Sequence, residues 1–128
     1  MFYYVTLGTN DVNKATAFYD AALKPLGIVR SMTVESEVGY AVAGSDKGLL
    51  YITRPYDKSR PASQGNGTML AFPAPTRQAV DDFHKAALAN GGTDDGKPGL
   101  RPYAPDWYAA YVRDPDGNKL SAVHREAI

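Results

Sequence analysis

The second half of the chain repeats the pattern of the first half. Each half contains a strand pattern, an amphipathic helix pattern that ends at a glycine, and then three short strand patterns. At a constant offset of 65 residues the helix positions are identical: Phe18 and Phe83, Ala22 and Ala87, Leu23 and Leu88, and Gly27 and Gly92. Any two amphipathic helices share an apolar stripe, but a shared terminating glycine and strand-to-helix spacing favour a duplication. The sequence therefore predicts an α+β fold of two tandem βαβββ modules.

The same patterns predict where the elements and modules begin and end. Module one is predicted to have a strand over 1–8, a helix capped by Thr9, Asn10 or Asp11, and strands over 28–34, 39–42 and 49–53. Module two is predicted to have a strand over 68–72, a helix capped by Thr76, and strands near 99–103, 108–112 and 119–123. The apolar helix positions in module two are Val80, Phe83, Ala87 and Leu88. We expect a single domain made of module one (1–57), a linker (58–66) and module two (67–128).

Composition narrows the possible function classes. The 128 residues include no cysteine, which excludes disulfides and thiolate chemistry and leaves a cytoplasmic location as the default. Fourteen basic residues balance fourteen acidic ones without runs of like charge, so neither nucleic acid nor a membrane is an expected partner. We expect no signal peptide and no membrane-spanning segment. Nine tyrosines against two histidines favour a ligand pocket over acid–base chemistry.

Strand alternation selects four positions on the faces that point away from the helices. Successive side chains of a strand point to opposite faces, and the aliphatic residues are expected to pack under the helix. In the first, fourth, fifth and eighth predicted strands, this places Tyr4, Tyr51, Met69 and Ser121 on the opposite face. We therefore expect these four side chains to line a pocket on the concave side of two curved sheets.

Several short motifs, in order along nearly the whole chain, resemble the vicinal oxygen chelate superfamily. These are VTLGTND followed by AFYD, then PLG, GNGT, ANGG and YVRDPDGN. The superfamily includes glyoxalase I, extradiol dioxygenases, fosfomycin-resistance enzymes and bleomycin-binding proteins. The chain is most similar to the small glyoxalase and bleomycin-resistance type. The resemblance implies a curved, barrel-like mixed sheet with the helices on the outside, and a homodimer in which some members build each cavity from both chains.

The resemblance also identifies where a metal would bind in metal-dependent relatives. In those proteins the four positions carry His or Gln, Glu, His and Glu, whereas here they are Tyr4, Tyr51, Met69 and Ser121. A phenol, a thioether and a hydroxyl are poor ligands for the divalent ions that such enzymes use. We therefore expect no bound metal and no other cofactor. His84 and His124 do not replace the missing ligands, and Ser121 lacks a candidate base for nucleophilic catalysis.

A segment between the sixth and seventh predicted strands supplies further ligand-binding candidates. Arg101, Tyr103 and Trp107 combine a cation with large aromatics, and prolines stiffen the segment. Arg101 is a possible contact for an anion. Alternatively, the aromatics cover the end of the barrel or a dimer interface. By contrast, Glu35 and Glu37 are predicted to lie in a solvated hairpin.

Three functional hypotheses follow. The first is a metal-free protein that binds a small amphipathic or aromatic molecule in a tyrosine-lined cavity formed by the residues named above. The second is a glyoxalase-type lyase or isomerase, either metal-dependent or using Tyr4 or Tyr51 as acid or base. The third is a purely structural or regulatory partner protein.

Overall fold

The computed structural model describes residues 1–126 and has the predicted two-module architecture. Module one contains β1 (Val5–Gly8), α1 (Val12–Leu23), a 3-10 turn (Lys24–Leu26), β2 (Ile28–Val34), β3 (Glu37–Val42) and β4 (Leu50–Thr53). Module two contains β5 (Met69–Pro73), α2 (Arg77–Ala89), β6 (Thr93–Leu100), β7 (Tyr108–Arg113) and β8 (Lys119–His124). The α+β class and the two βαβββ modules are thus confirmed. Residues 127 and 128 of the expected second module lie outside the described residues.

Each module forms its own mixed four-stranded sheet. The strand order is β1-β4-β3-β2 in the first sheet and β5-β8-β7-β6 in the second. In both sheets the first strand runs parallel to the last strand of its module, and the other pairs are antiparallel. Across the described residues, strand pairing does not continue from one sheet to the other, so the chain by itself does not close a barrel.

The hydrophobic core lies between each sheet and its helix. On α1 the repeat positions Phe18, Ala22 and Leu23 are buried. They share one core with sheet residues such as Tyr40, Leu50 and Ile52. On α2 Val80, Phe83 and Ala87 are buried, but Leu88 is 41% exposed, because it lies at the edge of the apolar stripe. The two modules contact each other mainly through α1 against α2 and through the 3-10 turn against α2. No helix in residues 1–126 is long and apolar enough to cross a membrane.

Side-chain caps define where both helices begin. Of the three cap candidates for α1, the structure selects Asp11, whose Oδ1 accepts a hydrogen bond from the Lys14 amide at 3.1 Å. Thr76 caps α2 as predicted, because its Oγ1 accepts a hydrogen bond from the Ala79 amide at 3.0 Å. Each cap satisfies a backbone donor that the helix cannot pair internally.

Two predicted strands are shifted in the structure. The strand predicted near 99–103 is instead Thr93–Leu100, and Arg101 and Tyr103 follow it in a turn. The segment 93–98 contains Asp, Gly and Pro, which disfavour strands, but β6 is an edge strand with two register irregularities, where such residues are tolerated. The first strand begins at Val5 rather than at residue 1, because the β1–β4 pairing begins at Val5.

The glycines that align in the two modules have different roles. Gly27 ends the 3-10 turn with a left-handed φ of 77°. In module two the left-handed residue after the helix is Gly91, with a φ of 98°. Gly92, which aligns with Gly27, instead allows close packing, because a Cβ there would lie 2.6 Å from the Phe18 ring. The repeated glycine therefore marks a helix end in one module and a contact between modules in the other.

The turn between β7 and β8 connects the two modules through hydrogen bonds. The buried Asp114 carboxylate accepts four hydrogen bonds: from the backbone amides of Asp116 and Asn118, from the Asn118 side chain, and from the Tyr19 hydroxyl at 2.5 Å. The Asn118 side chain also donates to the Gly8 carbonyl. Burial raises the pKa of Asp114, while the four donors oppose that rise. The turn residues thus hold α1 and the end of β1 against module two.

Candidate functional site

The open face of sheet one carries a cleft with tyrosine walls. The cleft has a volume of about 290 Å³ and is lined by Tyr4, Thr6, Glu37, Tyr51 and Tyr56. The Tyr4 and Tyr51 rings meet edge to face, with their centroids 5.1 Å apart. Tyr4 lies just before β1 and is 53% exposed. These side chains present aromatic faces and phenol groups to a molecule entering the cleft.

Two glycines leave the space that the Tyr51 side chain occupies. Gly39 is the cross-strand partner of Tyr51, and a Cβ on Gly39 would come within 2.8 Å of the Tyr51 ring. A Cβ on Gly48 would overlap the Tyr51 hydroxyl group. Because Gly39 and Gly48 have no side chains, Tyr51 can occupy this space and line the cleft.

The open face of sheet two carries a larger cleft of about 800 Å³. Four predicted site residues, Met69, Arg101, Tyr103 and Trp107, line it. The Tyr103 and Trp107 rings are nearly perpendicular, with centroids 5.5 Å apart. Met69 is 45% exposed and Tyr103 is 68% exposed. Met69, Tyr103 and Trp107 thus form an accessible apolar wall on one part of this cleft.

Charged residues from β6, β7 and β8 form the rest of the second cleft. Arg113 and Lys119 are cross-strand neighbours, and both contact the Asp95 carboxylate, at 3.1 and 3.3 Å. Tyr111 lies on the same open face as Arg113 and Lys119, and Arg101 and Lys119 both approach its ring. This part of the cleft therefore combines one aromatic ring with several cations.

Ser121 occupies a different environment from the other predicted site residues. Its side chain is fully buried, and its cross-strand neighbours are Tyr111 and Ala71. Among residues 1–126, the buried side-chain polar atoms without a hydrogen-bond partner are Ser121 Oγ and Trp107 Nε1. Unpartnered buried polar groups are uncommon in folded proteins. Ser121 and Trp107 are both among the predicted site residues.

The structure brings the seven predicted site residues together in two groups rather than one. Tyr4 and Tyr51 share the module-one cleft, whose lining lies between residues 4 and 56. Met69, Arg101, Tyr103 and Trp107 share the module-two cleft, whose lining lies between residues 67 and 119. Ser121 is on the module-two face but is not exposed to the cleft. Within one chain, the four alternation-selected residues do not line a common pocket.

The donors at the superfamily's metal positions do not suit a divalent ion. Tyr4 and Tyr51 belong to one cleft, Met69 to the other, and the Ser121 hydroxyl is buried. In the part of the chain that the structure describes, no three His, Asp or Glu side chains converge as a metal site would require. Octahedral ions prefer oxygen and imidazole ligands. The residues present therefore do not fit the superfamily's metal.

The two histidines lie outside both clefts. His84 Nε2 lies 2.8 Å from Asp94 Oδ1, and His124 Nδ1 lies 2.9 Å from the Ala74 carbonyl oxygen. Both contacts connect neighbouring elements of module two: α2 with β6, and β8 with the residue after β5. Neither imidazole replaces the missing ligands.

Sequence reasoning missed several residues of both clefts. Glu37, which we expected in a solvated hairpin, is the first residue of β3 and lines the module-one cleft. Tyr111, Arg113 and Lys119 line the module-two cleft. Alternation could have identified these three, because Tyr111 pairs with Ser121 and Arg113 with Lys119 on the same face. Asp95 could not be identified from the sequence, because the strand that carries it, β6, was predicted in the wrong place.

Two βαβββ modules with clefts on the open sheet faces define a glyoxalase-like class of protein. The model of the Glyoxalase/Bleomycin resistance protein/Dioxygenase superfamily matches residues 2–121. The chain therefore belongs to that superfamily, as the sequence motifs indicated. No protein of curated function shows significant sequence similarity to the chain.

Solved structures support the fold. A glyoxalase/bleomycin resistance protein from Albidiferax ferrireducens T118 is 44% identical, with 98% of each chain covered and a TM-score of 0.86. A glyoxalase-related enzyme from Fulvimarina pelagi is 19% identical over 95% of this chain and 86% of that chain, with a TM-score of 0.74. A lactoylglutathione lyase from Agrobacterium tumefaciens is 17% identical over 97% and 92% of the two chains, with a TM-score of 0.65. The last two comparisons show a shared fold only.

Proposed function

We propose that this protein binds a small amphipathic or aromatic molecule, without a metal ion, on the aromatic-walled open faces of its sheets. The observation that carries the proposal is the aromatic lining of both clefts, where Tyr4 meets Tyr51 edge to face in one cleft and Tyr103 meets Trp107 in the other. Aromatic rings in an open cleft offer packing surface to a small molecule, and the tyrosine hydroxyls add hydrogen-bonding groups. The absence of suitable metal donors favours binding over the metal-dependent chemistry of the superfamily.

We further propose that two copies of the chain assemble so that the module-one cleft of one copy faces the module-two cleft of the other. Each cleft is lined by one module only, and Tyr4, Met69 and Tyr103 remain exposed. Exposed apolar groups on a concave face indicate an interaction surface. Glu37 in the first cleft also complements the cations of the second. In a homodimer of this kind, each cavity would combine the module-one cleft of one copy with the module-two cleft of the other.

A thermal-shift screen of small aromatic and amphipathic compounds tests the binding proposal. Compounds that bind the folded protein should raise its melting temperature. Tyr51→Ala and Trp107→Ala should reduce that shift because each removes one cleft wall. Leu88→Ala is the control, because Leu88 is an exposed apolar residue of α2 outside both clefts. If no compound shifts the wild-type protein, or if the control loses as much as the cleft variants, the proposal is wrong.

Mixing two variants that have each lost ligand binding tests whether a cavity is formed by two copies of the chain. If Tyr51→Ala and Trp107→Ala each abolish binding, a mixed dimer has one doubly altered cavity and one intact cavity. After subunit exchange, about a quarter of all cavities should bind ligand again, counting half of the dimers as mixed. Cavities formed within one chain would show no recovery. Light scattering should independently give the mass of two chains.

Elemental analysis of the purified protein tests the metal-free part of the proposal. We expect no stoichiometric Ni, Zn, Mn or Fe, because the donor set does not match these ions. A bound ion at one equivalent per chain would instead support a glyoxalase-type lyase or isomerase. A cytoplasmic location is also part of the proposal, and it rests on the cysteine-free composition.

A further inference from the structure

Positive charge exceeds negative charge in the module-two cleft. Arg101, Arg113 and Lys119 line it together with a single carboxylate, Asp95. Asp95 Oδ2 is already shared between Arg113 Nε and Lys119 Nζ. The lining residues therefore leave two positive charges without a matching negative charge. An anionic group in this cleft would gain favourable electrostatic energy, and a cationic group would lose it.

The Arg101 guanidinium is held in place without being neutralised. Its Nη1 donates to the Gly99 carbonyl at 2.9 Å, and its Nη2 donates to the Lys97 carbonyl at 2.6 Å. Among residues 1–126, no carboxylate lies within ion-pair distance of Arg101. Arg125, by contrast, is paired with Asp106 at 3.0 Å. An oriented guanidinium with free N–H groups loses little conformational entropy when an anion binds.

Two of the cations converge on the Tyr111 ring. The Arg101 guanidinium carbon lies 5.2 Å from the ring centroid, and Lys119 Nζ lies 5.5 Å from it. The aromatic ring attracts both cations and keeps them in the cleft lining before any ligand arrives. Their contacts with Tyr111 hold positive charge on the open face of β7 and β8, which favours the binding of an anion there.

An apolar wall lies in the same cleft. Met69, Tyr103 and Trp107 line it together with the cations, and Tyr103 and Trp107 form a perpendicular aromatic pair. Such a wall suits a flat aromatic body, because rings pack well edge to face and methionine adapts to the shape of its neighbour. A ligand that used both parts would carry an anionic group attached to an aromatic ring.

We infer that the module-two cleft binds small aromatic anions, with the carboxylate or phosphate near Arg101 and Lys119 and the ring against Trp107, Tyr103 and Met69. This inference rests on the proposed binding function and adds the charge and shape of the ligand. The chemistry does not distinguish a carboxylate from a phosphate, so the test includes both.

Titration followed by tryptophan fluorescence tests the inference, because Trp107 is the single tryptophan of the chain and lies in the cleft. The probes are phenylacetate, phenyl phosphate, neutral phenylacetamide, cationic phenethylamine and inorganic phosphate. We expect at least one aromatic anion to bind about tenfold more tightly than phenylacetamide, with no saturable response to phenethylamine. Added sodium chloride should weaken anion binding, because the cleft is open to solvent.

Two variants with the same change in net charge locate the effect. Lys119→Met keeps an unbranched side chain beside Tyr111 but removes the ammonium, and it should weaken anion binding about fivefold. Lys85→Met removes a lysine from the exposed side of α2, outside the cleft, and should leave binding unchanged. Circular dichroism should confirm that both variants are folded.

The outcomes separate this inference from the proposed function. If phenylacetamide or phenethylamine binds as tightly as the anions, the inferred charge is wrong while aromatic binding stands. If inorganic phosphate binds as tightly as phenyl phosphate, the aromatic part of the inference is wrong. If Lys85→Met weakens binding as much as Lys119→Met, the effect is one of net charge and the anion position is wrong. If no aromatic probe binds and the broader screen also gives no ligand, both proposals fail.

Discussion

The hydrogen bond between Tyr19 and Asp114 is expected to make a large and pH-dependent contribution to stability. Both residues are buried, and the Tyr19 hydroxyl is one of four donors to the Asp114 carboxylate. Tyr19→Phe leaves that buried carboxylate with three donors. Hydrogen bonds to charged groups contribute about 1.5–3 kcal/mol, so we expect a loss of about 2 kcal/mol in the free energy of unfolding at neutral pH. The melting temperature should fall by about 6–10 °C.

The loss should grow as the pH rises. Burial raises the pKa of Asp114 above its value in the unfolded chain, so ionisation costs stability as the pH rises through the folded-state pKa. The Tyr19 hydroxyl opposes that cost, because it favours the ionised carboxylate. Near pH 4 a larger share of folded Asp114 is protonated than near pH 7.5, so Tyr19→Phe should be less harmful at the lower pH.

Urea unfolding of Tyr19→Phe and Tyr40→Phe, at about pH 4 and about pH 7.5, measures these effects at one protein concentration. Tyr40 is the matched control: it is buried like Tyr19, and its hydroxyl donates to Asp20 at 2.9 Å. Asp20 keeps its ion pair with Arg30 at 2.7 Å and is partly exposed, so Tyr40→Phe should cost less than about 1 kcal/mol. Equal losses in the two variants, or a pH-independent loss for Tyr19→Phe, would refute this reasoning.

Three further substitutions test other parts of the structure. Ser121→Ala removes a buried, unpartnered hydroxyl, so chemical denaturation should show stability unchanged or raised by up to about 1 kcal/mol; a clear loss would mean that the hydroxyl has a partner. Gly48→Ala places a Cβ where the Tyr51 hydroxyl lies, so it should reduce the thermal shift caused by hits from the compound screen while circular dichroism stays unchanged. Asp11→Ala removes the α1 cap and should cost about 1 kcal/mol in urea unfolding; no change would exclude that cap.

The fold could be predicted from the sequence because local patterns and the repeat agree with each other. The helices follow from apolar periodicity and the caps at Asp11 and Thr76, and the inward faces of most strands follow from alternation. The prediction was wrong at β6, because that segment has weak strand propensity and forms a strand by pairing with β7. Pairing between distant residues cannot be deduced from the local sequence.

The candidate site could be predicted only in part, for a similar reason. Alternation correctly assigned Tyr51 and Met69 to the open faces, but it could not show that the two residues lie in different clefts. That separation depends on how the modules pack, through α1 against α2. The roles of Gly39 and Gly48 in placing Tyr51 were also hidden, because they depend on space across the sheet rather than on the glycines' own conformation.

The charge of the module-two face bears both on metal binding and on the anion proposed to bind there. A site for a divalent cation needs negative or neutral donors that converge. Where a carboxylate would emerge from β8, this chain has the buried Ser121, flanked on the same strand by Lys119 and paired across the sheet with Tyr111. The charged residues of the cleft lining are three cations and one carboxylate, and their net positive charge repels a divalent cation and attracts an anion. Two of the four positions, Met69 and Ser121, therefore lie on a sheet whose open face has a charge that suits an anion better than a divalent cation.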